Sequence, residues 1–117
     1  MVTPDAMKKR TKAFGVAIVK LVAELPNTLV PRKIGDQLLR SGTSVGANYR
    51  AACRARSRAD FISKMGIVEE EADEAIYWME LLAEVGILPT NKVISLIKEA
   101  NQILSITVSS IRTARKG

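Results

Sequence analysis

The chain has 117 residues, 47% of them hydrophobic but only 4% aromatic, and a formal net charge of +6. That length supports one domain, residues 1–117, around an aliphatic core, and no run alternates apolar and polar residues as half-buried strands do. There is no histidine and one cysteine, Cys53, which removes the commonest general base and metal ligand together with any intrachain disulfide.

A first helix is predicted from near Pro4 or Asp5 to Leu25, with Thr3 as N-cap and Pro4 at the first helical position. Met7, Phe14 and Leu21 repeat every seven residues, with Ile18 and Leu25 offset by four, and Pro26-Asn27 ends the run. Val16, Val19 and Val22 add apolar surface outside that seam, as a partner-facing stripe would. Met7 with Lys8, Lys9 and Arg10 before AFGVAIV has the layout of a secretory leader, but Lys20 and Glu24 interrupt the apolar run and the same residues fit a helical heptad. No stretch reaches the ~18–20 apolar residues of a membrane span. The chain is expected in the cytoplasm, with no membrane partner.

A second helix follows from about Arg32, opened by Pro31, to Cys53, with Ile34, Leu38, Val45, Tyr49 and Ala52 as its seam. Gly42 and Gly46 lie four apart within it. Each costs about 1 kcal/mol against alanine in a helix interior, so a helix packed closely on that smooth face is expected to offset the loss. A break at Arg54–Ser57 leads to the longest apolar pattern, Phe61 to Gly86. There Phe61, Met65, Val68, Ala72, Ala75, Met79 and Leu82 alternate steps of four and three, widened by Ile62 and Ile76. Ser57 with Asp60 three residues on reads as a capping box, and Gly86 followed by Ile87 reads as a left-handed C-terminus. After Leu88-Pro89, a fourth helix is predicted from Thr90 to about Ala114. Val93, Ile97, Ala100, Leu104, Val108 and Ile111 share one of its faces, and Arg112, Arg115 and Lys116 favour its C-terminal dipole. Four helices of ~20–26 residues on short connections predict an all-α, antiparallel up-down-up-down four-helix bundle.

Charge is uneven along the chain. Residues 1–58 carry 12 Lys and Arg against 3 Asp and Glu, and residues 59–117 carry 6 against 9. Arg40, Arg50, Arg54, Arg56 and Arg58 are the candidate nucleic-acid-binding residues. Arg50, Arg54 and Arg58 are spaced four apart, and guanidinium forks fit phosphate bidentately. The competing reading pairs these arginines with the acidic third helix, through Glu70 or Glu74. No catalytic set, metal-ligand set or cofactor motif is visible, so the chain is expected to be neither an enzyme nor cofactor-dependent. Cys53 reads as a small packed residue at a helix end. Tyr77 and Trp78 cannot both face one seam, which leaves one of them for an interface.

The stretch LLRSGTSVGANYRAACRARSRADFISKMGIVEEEADEAIYWMELLAEVGIL resembles the bacterial four-helix-bundle proteins named for intervening sequences of 23S ribosomal RNA genes. The resemblance runs through Arg40, Ser44, Val45, Asn48, Arg56, Ser57, Asp60 and Phe61. The chain departs from many members at Tyr49-Arg50-Ala51-Ala52 and at Glu70-Glu71-Ala72-Asp73-Glu74. The resemblance implies a homopentameric ring of antiparallel bundles. Through the related accessory protein of diversity-generating retroelements, it also implies a basic assembly that engages nucleic acid and a reverse transcriptase. The expected function is a homo-oligomeric bundle binding RNA or DNA through phosphate contacts. The alternative is a protein–protein adaptor with no nucleic-acid role.

Overall fold

A computed structural model describes residues 2–117. Four helices run in order: α1 (Pro4–Ala23), α2 (Leu29–Cys53), α3 (Arg58–Glu84) and α4 (Thr90–Lys116). They form an all-α four-helix bundle measuring 47 × 22 × 20 Å. Close approaches give the directions. Thr11 lies against Gly46 and Val22 against Gly35. Arg40 meets Glu71 and Glu74, Arg10 meets Glu99, and Arg58 meets Gly117. Each neighbour pair is therefore antiparallel, and the connections are only four or five residues long.

The helix ends follow from local chemistry. Thr3 accepts a hydrogen bond from the Ala6 N–H, 3.1 Å, and Ser57 accepts one from the Asp60 N–H, 3.0 Å. The Asp60 carboxylate reaches back to the Arg56 N–H at 3.4 Å and not to Ser57 itself, and it also accepts from Lys64 at 2.6 Å. The expected box is thus widened by one residue. At the other end of α3, Gly86 takes φ +78°. The Ile87 N–H reaches the Leu82 carbonyl and the Gly86 N–H reaches that of Ala83, the paired bonds that close a helix on a left-handed residue. Helix α2 begins three residues before the predicted Arg32, because Pro31 sits inside the first turn, where a missing N–H leaves no bond unmade.

All four helices feed one aliphatic core, with Leu38, Val45, Met65, Val68, Met79, Leu82 and Ile103 fully enclosed. The α3 seam lies as predicted from Met65 to Leu82, although Phe61 and Ile62 are only half-buried. On α4 the enclosed side is Val93, Ala100, Ile103, Thr107 and Ile111. The stripe is thus turned from the predicted Leu104 and Val108, which are half-buried. Thr11, Ser41 and Thr107 are buried polar residues. Each hydroxyl donates to the carbonyl four residues earlier, at 2.8–2.9 Å, so burial leaves no unpaired polar atom.

Helices α1 and α2 approach closely at two glycines of α2. A Cβ added at Gly46 would lie 3.1 Å from the Thr11 carbonyl oxygen, and one at Gly42 would lie 2.7 Å from Ile18 Cγ2. Gly66, by contrast, faces open space. Gly66→Ala is expected to stabilise the protein by about 0.5–1 kcal/mol through helix propensity. Gly46→Ala is expected to cost about 1–3 kcal/mol despite the same propensity gain, since backbone must shift. Circular dichroism melts of the pair check this, and equal shifts for both would contradict the close approach.

Candidate functional site

Antiparallel packing gathers charge that is dispersed in the sequence. The start of α1, the α2–α3 turn with its flanking turns of helix, and the end of α4 share one end of the bundle. Residues 2–12, 50–64 and 112–117 hold twelve Lys and Arg against Asp5 and Asp60, a net of +10. The remaining residues hold six against ten, a net of −4. One end of the molecule is therefore strongly basic, and the acidic excess lies mainly at mid-length of α3. The unequal sequence halves describe this distribution only in part, because Arg112, Arg115 and Lys116 from the acidic half join the basic end.

Pairing sorts these cations. Arg10 forks onto Glu99 at 2.7 and 2.8 Å and also donates to Gln102, tying α1 to α4. Lys64 pairs with Asp60, and Lys8 lies 3.9 Å from Asp5. Lys9, Lys12, Arg50, Arg54, Arg56, Arg58, Arg112, Arg115 and Lys116 have no carboxylate partner among the described residues, and all are exposed. Arg58 donates a 3.3 Å bond to the Gly117 carbonyl, which holds the start of α3 against the end of α4. Lys8, Lys9 and Lys12 of α1 face Arg50 of α2 and Arg54 just past its end across a groove of about 700 Å³, which continues over Gly15, Val16, Val19 and Gly46. Glycine from both helices, Gly15 and Gly46, lies along the groove where the two meet.

Of the five arginines read from the sequence, four lie at this end. Arg40 does not. It sits at mid-length, bonded to Glu71 at 2.8 Å and to Glu74. The carboxylates, Glu74 first, raise its pKa further above its ordinary value. The Trp78 indole N–H donates to Glu74 at 3.0 Å, and that bond, with Arg40 behind it, holds the Glu74 carboxyl below the usual range. The pairing expected for the acidic helix is thus realised for Arg40 alone, with Glu71 in the place expected of Glu70. The lysines of α1 and the last three cations of α4 were missed by sequence reasoning. The signal available was the predicted topology itself, which already placed both chain ends beside the α2–α3 turn.

Other features take structural places. Cys53 is half-buried at the end of α2, packed on the core. Burial, with a smaller contribution from Cys53, pushes the Tyr49 phenol well above its ordinary pKa. Tyr77 is 55% exposed and meets Trp78 edge to face at 5.0 Å, while Trp78 packs on the core. Among the described residues no group of three or more His, Cys, Asp and Glu is placed to hold a metal ion. No helix is long and apolar enough to cross a membrane.

The class these observations define is an antiparallel four-helix bundle with one basic end and an acidic outer third helix. The sequence profile of the 23S rRNA-intervening sequence proteins matches residues 6–109. A solved structure from Bacteroides thetaiotaomicron VPI-5482, described as a protein of unknown function from the S23 ribosomal protein family, superposes with a TM-score of 0.85. It is 38% identical and covers 93% of this chain and 97% of its own. None of the curated proteins compared with the chain matches it. The chain belongs to the 23S rRNA-intervening sequence protein family.

Arg40→Gln is expected to lower the melting temperature at pH 7, because it strips Glu71, whose side chain is 13% exposed, of its partner. The Glu74 pKa is depressed in the folded state, so its contribution is present above the ordinary carboxylate pKa of about 4.3 and is lost as pH falls through the folded value. The gap in melting temperature between wild type and Arg40→Gln should therefore narrow as pH falls below about 4.3. A gap that stays as wide there would mean the pair is not what stabilises the contact.

Proposed function

We propose that the protein is a non-catalytic, self-associating bundle whose basic end binds the phosphate backbone of nucleic acid. The observation that carries this reading is the concentration of twelve cations against two carboxylates at one end, nine of them without an ion pair. Holding so many like charges together opposes folding by self-repulsion, and a polyanion relieves that repulsion. Guanidinium groups on three helix termini give bidentate phosphate contacts without reading bases. Arg50, Arg54, Arg56 and Arg58 keep the role expected of them, joined by Lys9, Lys12, Arg112, Arg115 and Lys116. Arg40 is left out, since two glutamates already neutralise it.

Bound arginines release condensed counterions, and the slope of log affinity against log salt is about −0.7 to −0.9 per phosphate contact. Replacing both Arg50 and Arg54 with Gln should flatten that slope by about 1.4–1.8 and weaken binding to all sequences alike. Arg40→Gln should lower thermal stability and leave the slope unchanged. Fluorescence-anisotropy titrations across a salt series, with melts on the same samples, separate the two. No binding at about 50 mM salt and micromolar protein would sink the reading and favour a protein adaptor.

Self-association has its own support. Val16 and Val19 on α1 are 47% and 46% exposed beside the lysine-lined groove. On the outer face of α3, exposed Ile67 and Tyr77 are interleaved with exposed Glu70, Asp73 and Glu80. An apolar strip flanked by exposed Lys20, which lies outside the basic end, and an apolar strip among acids are complementary, and unlike faces on one chain meet head to tail and can close into rings. The family resemblance implies five subunits. Light scattering on the eluting protein should give a multiple of the 12.8 kDa chain mass, and Val16→Asp with Val19→Asp should return it to monomer. A monomer mass for the wild type at micromolar concentration contradicts this part.

A further inference from the structure

We infer that the basic end takes double-helical nucleic acid, gripped through its phosphates, and does not take a single strand held by its bases. The inference rests on the phosphate-binding reading above and narrows its ligand.

The first support is where the aromatic side chains go. Proteins that hold single strands stack successive bases on exposed aromatic rings. This chain has five aromatic residues. Phe14 and Tyr49, 2% and 7% exposed, are enclosed in the core, and Phe61 is half-buried against it. The other two, Tyr77 and Trp78, lie on α3 in the acidic part of the molecule. Phe61 is the one aromatic residue of the basic end that is not enclosed, and half-buried against the core it leaves no pair of exposed rings on which successive bases could stack.

The second support is the shape of that end. It is made of helix termini, a four-residue turn and the last turn of α4, so no hairpin or recognition helix projects from it to reach base edges in a groove. Contacts limited to phosphates fix position and carry no sequence information.

The third support is charge density. The end measures about 22 × 20 Å across, and its unpaired cations come from all four helices. Over about 20 Å a single strand presents about six phosphates and a duplex about twelve. A single strand crosses the end as one track and meets the cations along it. Two strands flanking a groove meet cations on both sides. Each contact also releases more counterion from a duplex, about 0.9 against 0.7. With about six contacts and equal affinities at 1 M salt, that difference alone gives about fifteenfold tighter duplex binding at 0.1 M.

The test uses the full chain, a labelled mixed-sequence 20-mer strand without self-complementarity, and the blunt duplexes, DNA and RNA, that contain it. Anisotropy titrations between about 50 and 200 mM salt should show both duplexes bound about fifteenfold more tightly than either strand at 0.1 M, with a steeper salt slope. The Arg112→Gln, Arg115→Gln, Lys116→Gln variant, changed only at exposed positions, should lose affinity for duplex in proportion to the contacts removed while keeping the helical circular dichroism of wild type at the assay temperature. Equal or tighter binding of the single strand overturns the duplex inference and leaves the phosphate-binding reading standing. No binding to either form overturns both. Binding of duplex that the triple variant leaves unchanged also overturns the inference, because the two sides of the end would not then be acting together.

Discussion

Connections of four and five residues cannot carry the chain back along a helix, so every helix must start at the end where the previous one stopped. The rest of the molecule depends on that constraint. It makes each neighbour pair antiparallel, brings the two chain termini to the end that holds the α2–α3 turn, and sends Glu24, Glu80 and Glu84 to the other. The electrostatic polarity of the protein follows from chain connectivity, since no local sequence preference sorts Lys9, Arg54 and Arg115 into one neighbourhood. Arg58, bonded to the Gly117 carbonyl, then holds two of the converging segments together.

Within that frame, three of the helix contacts are of different kinds. Helices α1 and α2 meet backbone to backbone at Gly46 and Thr11, with the smallest residues of α2 against the hydroxyl and aliphatic residues of α1. Helices α2 and α3 close through aliphatic packing and the exposed Arg40 bridge to Glu71 and Glu74. Helices α1 and α4 are joined at the surface by the Arg10 fork onto Glu99, whose partners are partly buried and geometrically paired. Gly46, which weakens α2 as an isolated helix, thus lies along the cation-lined groove between α1 and α2. A Cβ at Gly46 would move α1 away and open the floor of that groove.

Basic and acidic surfaces here have distinct uses of charge. Where carboxylates and guanidiniums face each other across α2 and α3, the charge is internal and serves packing. Where guanidiniums and ammoniums face only one another, the protein tolerates repulsion that a bound polyanion can relieve. The difference between Arg40 and Arg54 is one of surroundings and not of residue type. Membership of the 23S rRNA-intervening sequence protein family is consistent with both surfaces but assigns a ligand to neither.

The sequence by itself determined the four helices, their approximate bounds, the Thr3 and Ser57 caps, the Gly86 terminus and the α3 seam. These follow from local rules: hydrophobic spacing at the helical period, side-chain oxygens before the first turn, and a residue able to take positive φ. Tertiary structure decided what depends on neighbours. It turned the buried stripe of α4 toward Ile103 and Thr107, because a threonine that bonds its own helix backbone is as buryable as valine. It spent Arg40 on Glu71 and Glu74, and left Tyr77 outside while Trp78 turned inward. It also assembled the basic end from three stretches, the first and last of them separated by 99 residues. Periodicity names the face of a helix that is buried, but not which charges from other helices arrive beside it, since that is set by how the whole chain folds back on itself.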